Sequence, residues 1–369
     1  MMETFKGLWT SEHRDGTFVT SVSNIPMDVL NSEQVLVQVF YSSLNYKDAL
    51  SSSGHRGITR NFPHIPGIDA AGIVINDPAG KFKPGSQVII TGFDLGMNAH
   101  GGLSEYVSVP STWIIKLPSG LTLEKSMQIG TAGLTAGMAM LALLQNGMVP
   151  SEGPIVVSGA TGGLGMCSIL LLKHLGFEVI AITGKKDLHG FLKSIGVDEI
   201  IDREEFLEEK MKALYFMRFS GAIDTVGGDT LIKILKSLKA GGSVAACGMA
   251  SSVDLHLQIY PFILRGARLL GIYSADSPLE LKQKVWNKFS KEWNFPMDKI
   301  VKTIHLEEAP KIMQDMLVGK TSGRYFSQNN PLVFNKLHAW LVYDFGQSNQ
   351  ISTHGNLRNV NFQLVRTRL

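Results

Sequence analysis

A two-domain α/β architecture, with a small β-barrel leading into a doubly wound parallel sheet, is predicted for this 369-residue chain by three observations. The first stretch breaks into short β-branched strands between Gly/Pro turns. From Gly153 onward, apolar strands alternate with helical stretches. The first of those strands runs through a glycine-rich turn into a helix.

In chain order, Val35-Leu36-Val37-Gln38-Val39-Phe40-Tyr41 is a β-branched-rich run, and Gly72-Ile73-Val74-Ile75 meets the turn Asn76-Asp77-Pro78. Lys83-Pro84-Gly85 then introduces Gln87-Val88-Ile89-Ile90, and short strands of this kind close into a barrel. Leu123 to Leu144 has helical spacing and small side chains, interrupted at Gly130-Thr131-Ala132-Gly133. Strands follow at Ile155–Val157, Val179–Ile182, Gly221–Asp224 and Ser243–Ala246, with helical stretches at Leu164–Leu175 and Thr230–Leu238 between them.

The composition is 44% hydrophobic and 18% charged, with a formal net charge of +3, too small to argue for a nucleic-acid partner. Two cysteines, Cys167 and Cys247, cannot build a disulfide framework; both lie in apolar segments and are expected as buried, reduced thiols. The N-terminus lacks an apolar core segment of the secretory kind, and the apolar stretch Met138–Leu144 ends at Gln145. The expectation is a cytoplasmic protein without a membrane partner.

Ile155-Val156-Val157-Ser158-Gly159-Ala160-Thr161-Gly162-Gly163-Leu164-Gly165 carries the strongest chemical signal. Gly159 permits a tight turn, Gly162 and Gly163 let backbone approach a pyrophosphate, and Gly165 lets helix and strand pack closely. The helix N-terminus adds unpaired N–H groups and positive potential. This is the Rossmann pattern. After the second strand, NAD-preferring folds place a carboxylate on the ribose, whereas this chain has Thr183-Gly184-Lys185-Lys186. A hydroxyl and an ammonium suit a 2′-phosphate, and Arg203, after Glu199-Ile200-Ile201, can add a second cation. NADPH is the cofactor expected.

A catalytic zinc needs a Cys/His/Cys set or similar, yet no cysteine precedes Cys167. His55, His64 and His100 have no recognisable ligand spacing, so no metal is expected. Hydride chemistry without zinc must stabilise charge with hydrogen-bond donors, which points to an activated alkene or a quinone as acceptor.

Several blocks carry a family resemblance. Ser42-Ser43-Leu44-Asn45-Tyr46-Lys47-Asp48-Ala49-Leu50, Phe62-Pro63-His64-Ile65-Pro66-Gly67-Ile68-Asp69-Ala70-Ala71-Gly72 and Ile129-Gly130-Thr131-Ala132-Gly133-Leu134-Thr135-Ala136 resemble the acrylyl-CoA reductase family of YhdH/YhfP type, which is quinone-oxidoreductase-like. So do Gly221-Ala222-Ile223-Asp224-Thr225-Val226-Gly227-Gly228 and Pro261-Phe262-Ile263-Leu264-Arg265, and the likeness is colinear from about Leu8 to Arg324. The resemblance implies a zinc-free medium-chain dehydrogenase/reductase fold. A GroES-like catalytic domain would span 1–120, completed by about 274–325, and a Rossmann NADPH domain 121–273.

The implied activity is NADPH-dependent reduction of a 2-enoyl thioester, acrylyl-CoA expected, with hydride passing to the β-carbon. By motif position Tyr46 is the implied active-site tyrosine and a cofactor contact, a hydroxyl donor near neutrality. Asn45 joins it in the catalytic set, although Asn45 and Asp48 either orient substrate or cap the adjoining turn. Thr161, Gly162, Gly163 and Leu164 correspond to the pyrophosphate loop, and Thr183, Gly184, Lys185 and Arg203 to the 2′-phosphate site. Met249, Ala275 and Arg324 match later cofactor contacts. Tyr273 stands where the family usually has Asp. The alternatives are a quinone reductase on the same scaffold and an NADPH-binding protein with little activity. Dimers are common among such folds, so a homodimer is compatible with the sequence, which leaves the oligomeric state open.

From Phe326 to Leu369 the chain holds eleven Asn and Gln residues but one carboxylate, Asp344, with no sustained period. The expectation is a mobile, non-family tail, and a fold lacking a native-like closing strand after Arg324.

Overall fold

The computed structural model describes residues 4–208 and 212–329. Strand Val35–Leu44 is the spine of the first sheet, with Val35, Val37 and Val39 buried on one side as period-two alternation demands. In order across that sheet run Val301–Ile304, Arg324–Gln328, Val35–Leu44, Asp69–Asn76, Gln87–Thr91 and Ile114–Lys116; Tyr106–Val109 pairs with Val35–Leu44 outside that path. The three valines pack with Val74, Val88, Ile90 and Val107, the core of the barrel. Each such burial contributes about 1.5–3 kcal/mol.

The second sheet is parallel, in the order Glu199–Asp202, Val179–Thr183, Ile155–Ser158, Phe219–Asp224, Leu238–Ala246 and Arg268–Gly271. Strand order reverses between Ile155–Ser158 and Phe219–Asp224, so the crevice above their carboxyl ends is the topological switch point. The glycine turn lies there. The α/β class, barrel and doubly wound sheet are therefore as expected. The edge strand Arg268–Gly271 was not among the predicted elements.

Helix Leu123–Gln145 is long and apolar enough to cross a membrane, but it is mostly buried, packed on helix Gly163–His174 and on the barrel strands. It is two helices joined at Gly130, whose φ of 51° and ψ of −162° leave the helical region. A side chain there would strike Ser43, Arg324 and Asp69. The break frees the N-terminus of the second half, where Thr131 donates from N (2.8 Å) and Oγ1 (2.5 Å) to the buried Asp69 carboxylate.

The absence of a closing strand is corrected. Arg324–Gln328 pairs in parallel with Val301–Ile304 and antiparallel with Val35–Leu44. Phe326 is buried with its ring 5.9 Å from Tyr41, and Asn329 Nδ2 donates to Gly102 O (2.8 Å) and Ser104 O (2.9 Å). Three strand residues, Phe326 to Gln328, carry little weight in the composition of a 44-residue segment. The segment therefore joins the barrel as far as Asn329, and the expectation for residues 330–369 lies outside the described residues.

Candidate active site

The strand Ile155–Ser158 delivers the chain into Gly159 (φ 57°), and Gly162 is the N-cap of helix Gly163–His174 without a capping side chain. That leaves first-turn N–H groups open toward the crevice. Gly165 is forced by contact, because a Cβ would run into Gly159 O and Ala160 Cα.

Two hollows flank this turn. In the smaller, about 360 Å³, Thr161, Thr183, Gly184, Lys185 and Arg203 come together, with no carboxylate in the wall. Thr161 Oγ1 lies 3.4 Å from Thr183 Oγ1, which accepts from Lys185 N at 3.1 Å. Lys185 Nζ donates to Thr321 O at 2.5 Å, and partial burial holds its pKa below the usual lysine range. The exposed Arg203 guanidinium lies over the Gly184 backbone. Asp202, the nearest carboxylate in sequence, is turned away: its Oδ1 accepts Glu204 N (2.8 Å) at the start of helix Arg203–Glu208, and its Oδ2 lies 3.5 Å from Lys186.

The larger cleft, about 370 Å³, lies between barrel and parallel sheet; Asn45, Tyr46, Lys47, Gly162, Gly163, Leu164, Ala275 and Arg324 all face it. Tyr46 opens helix Tyr46–Ser52 and is 51% exposed. Asn45 and Arg324 do something different. Asn45 Nδ2 donates to Asp69 Oδ2 (2.9 Å) and Ser43 O (3.2 Å), while its Oδ1 accepts from Arg324 Nη1 (3.2 Å). Arg324, 3% exposed, also donates to Leu44 O (3.2 Å) and Gln128 O (3.3 Å), and its stem lies against Gly163. Its Nη2 has no partner among the described residues. Through these bonds both side chains tie the barrel to the broken helix, and the Arg324 Nη2 is left over.

Asp48 is a cap, as one expectation had it: its Oδ2 accepts Asn45 N (2.7 Å) and its Oδ1 accepts Ile68 N (2.8 Å). Burial, with the neighbouring Asp69, pushes its carboxyl up to about 7. Ala275 O accepts from Phe93 N (2.9 Å) and Lys282 Nζ (2.7 Å). Met249 is 69% exposed and faces neither hollow; Cys247 and Ala250 form the cleft wall beside it. Cys167 is buried as expected, but Cys247 is only partly so, and burial pushes its thiol up, the Asp224 carboxylate adding to the effect. Tyr273 is exposed and its hydroxyl donates to Asp276. His64 and His100 stack with centroids 5.5 Å apart, and burial pulls His64 down to about 4. Among the described residues no three His, Cys, Asp or Glu side chains converge.

Lys282 was missed by sequence reading. It is fully buried, donates to Thr91 O and Ala275 O, and burial pulls it down to about 8. Its one signal is register: Lys282 falls in line with Val285, Trp286 and Phe289, the buried stripe of helix Leu279–Phe289.

The chain matches the alcohol dehydrogenase GroES-like domain over residues 31–119 and the zinc-binding dehydrogenase family over residues 163–291. It is 38% identical over 328 residues to the putative quinone oxidoreductase YhfP of Bacillus subtilis, covering 88% of this chain and 98% of that protein. It is 40% identical over 314 residues to the probable acrylyl-CoA reductase AcuI of Escherichia coli, covering 85% and 96%. Among solved structures, the Salmonella enterica yhdH oxidoreductase in complex with NADP superposes with a TM-score of 0.84 at 38% identity, covering 88% and 100%. The Bacillus subtilis yhfP protein with NAD bound gives 0.85 at 38%, covering 88% and 99%.

Proposed function

Given that the chain belongs to the YhdH/YhfP/AcuI-type family of medium-chain dehydrogenases/reductases, we propose that it is an NADPH-dependent reductase of 2-enoyl-CoA thioesters, with acrylyl-CoA converted to propionyl-CoA. The carrying observation is the pairing of a carboxylate-free hollow holding Lys185 and Arg203 with a cleft holding Tyr46, on either side of one glycine turn.

The residues fit the cofactor. The first turn of helix Gly163–His174 would take the pyrophosphate, and Thr183, Lys185 and Arg203 the 2′-phosphate. A nicotinamide cofactor held there would supply the hydride for the β-carbon of the thioester-conjugated double bond. Charge then develops on the thioester oxygen as an enolate, and the Tyr46 hydroxyl donates a hydrogen bond to it. A proton from solvent is taken up at the α-carbon, giving the saturated thioester. Ile68, Phe93 and Met97 supply apolar wall in the same cleft. Asn45, Asp48 and Arg324 position the helix that carries Tyr46.

A quinone reductase is the second reading, favoured by the name of the YhfP relative. Initial rates of NADPH oxidation with acrylyl-CoA, crotonyl-CoA and 1,4-benzoquinone separate the two. The expected order places acrylyl-CoA first in kcat/KM, with NADPH preferred to NADH by about tenfold or more, the worth of one charge-assisted phosphate contact. Turnover of the quinone alone would replace the enoyl reading with the second.

A further inference from the structure

We infer that Phe93 sets which acyl groups the cleft admits, standing as the fixed wall between it and a second hollow; this rests on the enoyl thioester reading above. Phe93 is the one non-glycine residue among those described with a left-handed backbone, φ 55°. A bulky side chain in that region is strained and persists only where its surroundings over-determine it.

The surroundings do so from several directions. Phe93 N donates to Ala275 O at 2.9 Å. The ring stacks on Trp113, centroids 5.5 Å apart and planes 8° from parallel, and Lys282 Nζ lies 3.4 Å from the ring centroid. That ammonium is itself tied to Thr91 O (2.6 Å) and Ala275 O (2.7 Å), on the two segments that meet at Phe93. Gly92 sits so close to Ala275 that a Cβ would lie 2.7 Å from its carbonyl oxygen. The ring cannot swing aside without leaving Trp113 and the Lys282 ammonium.

The second hollow, about 320 Å³, shares Lys47, Phe93, Met97 and Ala275 with the main cleft and continues to Trp113, Tyr273 and Asp276. Of the shared side chains, Lys47 and Met97 are long and unbranched and can rotate away, and Ala275 is a methyl group. Phe93 alone is both large and held. An acrylyl group carries nothing beyond its β-carbon and fits in front of the ring. A longer chain on that carbon needs the space that Phe93 closes off.

Phe93→Gly removes the ring and relieves the backbone at once, the strain relief offsetting part of the lost packing, and its melting temperature is measured alongside. Lys282→Met keeps the ring but frees it. The measurement is the ratio of kcat/KM for 2-hexenoyl-CoA to that for acrylyl-CoA, alongside the ratio of dissociation constants for the unreactive hexanoyl-CoA and propionyl-CoA by calorimetry. Phe93→Gly is expected to shift both ratios toward the longer chain by about tenfold or more, with Lys282→Met in between. Ratios within about twofold of wild type in Phe93→Gly would overturn the inference. If the unmodified protein reduces no enoyl thioester, the reading it rests on fails by itself. The ratio is then taken between 1,4-naphthoquinone and 1,4-benzoquinone, and an unchanged value overturns the role of Phe93.

Discussion

Replacing Tyr46 with Phe is expected to lower turnover by roughly 10²-fold or more while leaving NADPH affinity and melting temperature nearly unchanged. The substitution deletes one oxygen. Tyr46 is 51% exposed at the first position of its helix, and its hydroxyl has no partner among the described residues, so no folded-state hydrogen bond is lost. What is lost is a donor to the oxygen that becomes an enolate, where removing one donor costs 10²–10³ in comparable sites. Stopped-flow single turnovers separate this from binding: the bound fraction should match wild type and the chemical step should slow. Unchanged turnover would reduce Tyr46 to a packing residue.

The second large effect is expected on stability. Arg324→Met keeps the stem against Gly163 and removes the guanidinium, and with it the bonds to Leu44 O, Asn45 Oδ1 and Gln128 O. Arg324 is only 3% exposed, so water cannot readily replace those bonds. Leaving two or three buried acceptors unpaired costs about 1–3 kcal/mol apiece, so a loss on the order of 3–5 kcal/mol is expected. A urea denaturation midpoint reads it. A loss under about 1 kcal/mol would show that the guanidinium does not hold the two halves of the cleft together.

These two residues mark how far the sequence could be read. The parallel sheet was legible because strands such as Ile155–Ser158 and Val179–Thr183 are buried along their whole length and read as continuous apolar runs between turns. The glycine turn and its cation-bearing neighbours were legible because local chain geometry brings Thr161, Thr183 and Lys185 to one crevice. Asn45 was not, because its fate depends on Asp69, 24 residues away, and Arg324, 279 residues away. Arg324 is expected as a cofactor contact by motif position; it lines the cleft, and its Nη1 and Nε also bond to barrel and helix carbonyls, which no local window shows. Lys282 looks like any helical lysine until the helix is docked and that face is covered. The closing strand was missed because its pairing partners, Val35–Leu44 and Val301–Ile304, lie outside any local window.

The central claim is hydride delivery to the β-carbon of an enoyl thioester, and isotope transfer reads it directly. Acrylyl-CoA is turned over with NADPH deuterated at the transferring position of C4, each epimer in turn, in ordinary water, and the thioester product is examined by mass spectrometry and NMR. The expected product is propionyl-CoA carrying one deuterium, at the β-carbon, from one epimer only, with label at the α-carbon only when the reaction is run in heavy water. Deuterium from the cofactor at the α-carbon, or oxidation of NADPH without any propionyl-CoA, would contradict it.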